Sequence, residues 1–166
     1  MSGPEDEMKI EYRPIGFIRS PFKERRGMPI QPTRGRGARG TIEIMPEYAD
    51  GLADLDGFSH IVLIYYFHRS QGFDLRVTPF LDTEKRGLFA TRAPRRPNAI
   101  GLSVVRLLGI EGNLVTVQDV DMLDGTPLLD IKPYVPEFDI HTEVREGWLE
   151  RVRHREVDSD DRFADR

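Results

Sequence analysis

The run Ser59-His60-Ile61-Val62-Leu63-Ile64-Tyr65-Tyr66-Phe67-His68 most limits what this chain can become. β-Branched and aromatic side chains follow one another without polar alternation, so a strand here is apolar on both faces. Such a strand belongs inside a sheet, with a partner on each edge. No apolar run in the chain approaches the roughly 20 residues that span a bilayer.

Other segments predict strands of similar kind. Residues 15–20 form one that Pro21 stops, and Thr41-Ile42-Glu43-Ile44-Met45 alternates as a half-buried strand does. Residues 101–110 and 114–120 flank Glu111-Gly112-Asn113, a hairpin turn. Leu88-Phe89-Ala90-Thr91 is a shorter candidate, and 128–132 is another strand, closed by Pro133. Pro46 opens a short helix over 46–52. Val144, Trp148, Leu149 and Val152 near one face predict a longer helix over 142–155, with disorder from 156. Short strands at close spacing with few helices imply a mostly β fold, a single curved, barrel-like sheet with few short helices.

A length of 166 residues suits one compact domain. Its expected divisions are a flexible N-terminus (1–12), a β domain (13–140) and a short helix with an acidic disordered tail (141–166). The chain has no cysteine, which excludes disulfides, thiolate metal sites and cysteine nucleophiles. The acidic start, Glu5-Asp6-Glu7, lacks the order of a signal peptide, and the absence of cysteine leads to the expectation of a cytoplasmic protein. Net charge is −4, yet Arg13, Arg19, Lys23, Arg25, Arg26, Arg34, Arg36 and Arg39 face only Glu24 along one stretch. Lys85, Arg86, Arg92, Arg95 and Arg96 form a second basic group. Clustered cations can meet a phosphate backbone despite a negative sum; two solvated loops would look the same.

Gly35-Arg36-Gly37-Ala38-Arg39-Gly40 spells a dinucleotide-binding fingerprint. It lacks the preceding strand and following helix that would bring a pyrophosphate to a helix N-terminus, so a flexible basic loop is expected. His60, His68, His141 and His154 show no metal-ligand spacing, and no metal is expected. His68 ends a strand, where ligand contacts are common, while a core or capping histidine is the default for such a position. Two segments carry more chemistry. In 92–98, Pro94 and Pro97 stiffen an extended backbone bearing Arg92 and Asn98, suited to holding a polar ligand at low entropic cost. In 121–134, Asp121, Asp124, Asp130 and Lys132 place ionisable groups beside Leu and Ile; a turn and a surface strand would place them there too.

Four stretches taken together, Ile15-Gly16-Phe17-Ile18-Arg19-Ser20-Pro21-Phe22, Leu55-Asp56-Gly57-Phe58-Ser59-His60, 90–103 and 121–134, resemble the TrmO (TsaA-like) family of tRNA methyltransferases. The resemblance runs in order from Ile15 to about Asp139. It implies a barrel-like fold that binds S-adenosylmethionine (SAM), and methyl transfer to N6 of threonylcarbamoyladenosine at position 37, in the anticodon loop of tRNA. Homodimers with a site near the subunit interface are implied as well. Many bacterial members carry a further C-terminal domain, where this chain has only its acidic, partly helical end.

Carried over by position, the cofactor contacts fall on Pro29, Ile30, Gln31, His68, Arg69, Arg92, Leu102, Asp121, Met122, Leu123 and Asp124. Ile30 stands where relatives often have a basic residue. The chemistry suits these types. Arg92 or Arg69 can pair the cofactor carboxylate. Asp121 or Asp124 can take its ammonium or ribose hydroxyls, and Leu102, Met122 and Leu123 offer an apolar slot for adenine. Asp124 or Asp130 could accept the acceptor's proton, with Lys132 or Tyr134 positioning the base. A non-catalytic SAM- or nucleotide-sensing module, or a methyltransferase acting on another RNA or a small molecule, is the alternative.

Overall fold

Alternation of side chains builds the sheet. In β2 (Arg39–Ile44) Ile42 and Ile44 are buried while Glu43 is exposed; in β3 (His60–Tyr66) Ile61, Leu63 and Tyr65 turn inward. β1 (Gly16–Arg19) adds Ile18. The long β6 (Ile100–Glu111) adds Ser103 and Val105, β7 (Leu114–Gln118) adds Val115 and Val117, and β8 (Thr126–Pro133) adds Leu128. A two-residue period puts every second side chain on one face, and closing the sheet turns that face into a core. The computed structural model describes residues 3, 5, 7–24, 37–80 and 82–153.

These strands close an antiparallel barrel in the order β1-β2-β7-β6-β3-β8, with β8 returning to β1. The mostly β, barrel-like fold expected from the strand pattern is therefore present. β3 pairs with β6 on one edge and β8 on the other, as its apolar faces required. Its outer side chains are only half covered, however: Val62 and Ile64 are partly buried and Tyr66 is exposed. Register shifts between Ile64 and Tyr65 against β8, and between Leu107 and Gly109 against β7, mark bulges that help a sheet curve. Gly112 takes a φ of 62° in the β6–β7 turn, where a side chain would be strained. A Cβ on Gly101 would collide with the Tyr65 ring, so glycine there lets the ring cross β6.

By internal contacts the chain divides into two units, residues 1–70 with 99–134, and residues 71–98 with 135–166. The barrel is the first. The second has two strands of two residues, β4 (Arg76–Val77) and β5 (Arg86–Gly87), a helical turn α1 (Pro136–Asp139) and a helical segment at 148–153. Two sequence expectations fail here. Residues 88–90 form a 3₁₀ turn, not a strand, because both the Thr91 N–H (3.0 Å) and its hydroxyl (2.7 Å) donate to the Leu88 carbonyl. The helix expected from 142 begins only at 148, after Gly147 with a φ of 57°, a conformation that cannot continue a right-handed helix. The tail expected from 156 lies outside the described residues.

Candidate functional site

The end of the barrel where β3 finishes and β6 begins gathers several of the residues singled out by sequence. Tyr66 pairs with Ile100 and Ile64 with Leu102, and the Phe67 N–H donates to Ala99 at 2.8 Å, so His68 follows directly on this edge. Asp121, in the segment between β7 and β8, accepts a hydrogen bond from Ser103 Oγ at 2.8 Å, which brings that segment to the same end. Ser103 in turn lies 2.8 Å from the Tyr65 hydroxyl. Burial pushes the Asp121 carboxyl above its ordinary value; the Ser103 hydroxyl and the residue's own N–H pull it back. Burial and the Arg69 charge lower His68, with a hydrogen bond to the Tyr66 backbone opposing them.

Asp124 is held differently. Its Oδ1 accepts from the Ser20 N–H at 3.0 Å and its Oδ2 from Lys23 Nζ at 2.8 Å. Its own N–H donates to the Phe22 carbonyl at 2.7 Å, and Ser20 Oγ donates to Met122 O at 2.6 Å, so the end of β1 clamps the 122–124 turn. The Lys23 hydrogen bond holds the Asp124 carboxyl below its usual range. Met122 is buried in the core cluster, whereas Leu123 is only partly covered. Beside this clamp a cleft of about 500 Å³ is lined by Arg19, Lys23, Arg39, Thr41, Thr116 and Asp124, among others.

The remaining candidates lie on the outer face. β8 pairs Asp130 with Ile64 and Lys132 with Val62, and both side chains point away from the core that Ile131 packs against. Because Ile64 also pairs with Leu102, the row Leu102–Ile64–Asp130 crosses three strands on one surface, about 10 Å wide at ordinary strand spacing. Leu102 is 51% exposed, with Tyr66, Ile100 and Val104 exposed beside it. Lys132 Nζ pairs with Asp130 Oδ2 at 2.9 Å. Tyr134 sits past the far end of β8, its ring 6.2 Å from His60 and its N–H donating to the His60 carbonyl. Asp124 and Tyr134 are thus separated by the length of β8, about 26 Å.

Arg92 belongs to the second unit, is exposed, and makes no hydrogen bond or ion pair among the described residues. Its basic neighbours are engaged. Arg86 pairs with Asp82 at 2.7 Å, Arg95 donates to Gln71 O at 3.0 Å, and Arg96 donates to Thr91 O at 2.8 Å. Pro29, Ile30 and Gln31 lie outside the described residues. The sequence reading passed over Ser20, Tyr65 and Ser103. Ser103 left a faint trace, a hydroxyl at an inward position of an apolar alternation that continues with Val105. Among the described residues no group of three or more His, Asp or Glu side chains is placed to hold a metal ion.

Comparison with known proteins decides what this arrangement belongs to. The tRNA-methyltransferase O N-terminal domain matches residues 17–140. The chain belongs to this family. A probable S-adenosyl-L-methionine-binding protein of Pyrococcus abyssi is 57% identical over 148 residues, spanning 89% of this chain and 80% of that one. The mouse tRNA (adenine(37)-N6)-methyltransferase is 39% identical over 135 residues, which cover 76% of this chain but 31% of the mouse protein. A crystal structure of TrmO from Pseudomonas aeruginosa superposes with a TM-score of 0.73 at 43% identity, covering 84% of this chain and 62% of that one. The chain thus spans less than two thirds of that crystallised family member.

Proposed function

We propose that this chain is a SAM-dependent tRNA (adenine-N6)-methyltransferase whose acceptor is threonylcarbamoyladenosine 37. The observation that carries this reading is the family match over 17–140, with mammalian relatives named for methylation at adenine 37. The fit of the cofactor rests on the donor set at one barrel end. Asp121 offers a carboxylate for a ribose hydroxyl or an ammonium, and exposed Leu102 offers an apolar surface for adenine. Met122, Leu123, His68 and Arg69 complete this end. For Arg92 the assignment rests on chemistry: a guanidinium with no partner among the described residues matches the cofactor carboxylate. Pro29, Ile30 and Gln31 are assigned by position in the family alone.

When bound, SAM supplies an electrophilic methyl group on a sulfonium, and in-line displacement makes alignment a large part of catalysis. An adenosine N6 has its lone pair delocalised into the ring, and a carbamoyl group makes its proton more acidic. Removing that proton therefore helps. The end of β1 clamps both Asp124 oxygens through the Ser20 N–H and Lys23 Nζ, so we assign Asp124 to holding the turn and the cofactor. Asp130 shares the outer face with Leu102 and is the proton acceptor in this assignment, with Lys132 at 2.9 Å positioning it. Tyr134, at the far end of β8, is assigned to a contact with the splayed RNA loop. Arg19, Lys23 and Arg39 around the cleft are the described part of the phosphate-contacting surface; Arg34 and Arg36 lie outside the described residues.

The exposed Tyr66, Ile100 and Val104 support a homodimer whose interface borders the site. A two-fold interface sets one patch against its own copy, so an apolar patch can complement itself. Light scattering that returns a single-chain mass removes this part. Action on tRNA assigns the protein to the cytoplasm. The test is nucleoside mass spectrometry of tRNA from a strain lacking the gene. Loss of only the methyl on threonylcarbamoyladenosine is expected; an unchanged nucleoside profile contradicts the proposal.

A further inference from the structure

Two side chains inside the barrel and a third at its end form a polar chain that a core does not require. Tyr65 hydroxyl, Ser103 Oγ and Asp121 Oδ1 follow one another at 2.8 Å per step. Tyr65 and Ser103 are 5% and 4% exposed, on inward faces shared with Ile61, Leu63 and Val105. Phenylalanine and alanine would occupy the same places with no polar atom to satisfy. The proton count sets the direction. Serine has one proton and gives it to the carboxylate, so its lone pair receives the tyrosine proton. Glycine at 101 leaves room for the ring that delivers it.

We propose that Ser103 and Tyr65 are positioning residues, which aim the Asp121 carboxylate and keep it charged for a hydroxyl or ammonium donor of the bound cofactor. This rests on the cofactor reading above. A carboxylate has about four acceptor sites, so one serine leaves capacity for a ligand. Burial favours the neutral acid, which could not fix a cation, and no lysine, arginine or histidine among the described residues offsets it. The charged groups on adjoining segments have other partners. Lys23 pairs with Asp124, and Asp119 accepts from the Gly37 N–H at 2.7 Å. His68 takes its shift from burial and Arg69. The Ser103 hydroxyl and Asp121's own N–H are the counterweight to burial, with Tyr65 polarising the serine.

Carboxyl carbon NMR on the free protein tests the positioning role without any ligand, Asp121→Asn identifying the resonance. In Ser103→Ala the Asp121 titration should move to higher pH, and in Tyr65→Phe by less, because the phenol acts at one remove. Calorimetric titration with SAM should follow. Affinity falls about tenfold per pH unit once the carboxyl protonates, and that fall should begin at higher pH in both variants. Near-wild-type affinity at high pH, and recovery of the profile in Ser103→Thr, separate positioning from packing. Should Ser103→Ala not fold, the isosteric Tyr65→Phe still decides. An unmoved Asp121 titration in the folded variants overturns the proposal. A moved titration that SAM affinity does not follow overturns the link to the cofactor. A wild-type protein that binds no SAM strikes the cofactor reading instead, while the carboxyl titration still rules on Ser103 and Tyr65.

Discussion

Each unit is stabilised internally by different means. The barrel relies on continuous antiparallel ladders around an apolar interior in which Ile18, Ile42, Ile61, Leu63, Val105, Val115, Val117 and Leu128 are fully buried. The second unit has two-residue strands, buries Leu88 and Val152, and adds single polar contacts to them. Asp82, its side chain 1% exposed, takes Arg86 at 2.7 Å, and Trp148 Nε1 donates to the Ala90 carbonyl at 2.8 Å while its ring lies under Arg86. Hydrophobic burial is spread over many residues and tolerates local change; a few directed bonds concentrate stability in the groups that make them.

The sharpest way to break this contrast is to open the barrel core. Leu63→Ala removes a fully buried side chain at the paired centre of β3 and should cost about 2–5 kcal/mol, seen as a large fall in melting temperature. A loss below 1 kcal/mol would mean the interior is loosely packed. Trp148→Ala comes next. It removes one hydrogen bond, worth about 0.5–1.5 kcal/mol, and a cation–π contact of similar size, so amides over 86–91 should exchange faster. Unchanged exchange there would show that these polar contacts do not hold the second unit.

Much of the barrel was legible in the sequence because strand signals are local: the alternation of β2, the unbroken apolar run of β3 and the turn between β6 and β7 placed them from their own residues. The second unit was not. Residues 88–91 have the apolar content of a strand, and only the Thr91 hydroxyl over the Leu88 carbonyl makes them a turn. Val144, Trp148, Leu149 and Val152 keep a helical period, but Gly147 breaks the backbone between them. At the candidate site, the acids of 121–130 stood out as charges beside apolar strands. The Tyr65–Ser103–Asp121 chain could not be seen, because it joins three segments whose register is fixed only by the closed sheet.

The smallest expected effect compares the two clamped aspartates. Arg86 holds the Asp82 carboxyl below its ordinary value, and Lys23 does the same for Asp124. An acid lowered on folding contributes stability above its unfolded value, near 3.9, and loses it as pH falls through the lower folded value. Urea midpoints between pH 2 and 6 should therefore decline toward acid in the wild type. Asp82→Asn should flatten this decline more than Asp124→Asn, since Lys23 is 69% exposed and screened by solvent, whereas Arg86 is 21% exposed. Equal flattening would erase the distinction between the two clamps.

On the proposed function, the barrel end built around Asp121 and Leu102 holds a methyl donor for adenine 37 of tRNA. Purified protein should be mixed in single turnover with isotopically labelled SAM and tRNA that carries, or lacks, the threonylcarbamoyl group. Label is expected on N6 of the modified adenosine, with its loss in Asp121→Asn. Label on another nucleoside, or none on either tRNA from protein that binds SAM, would contradict it.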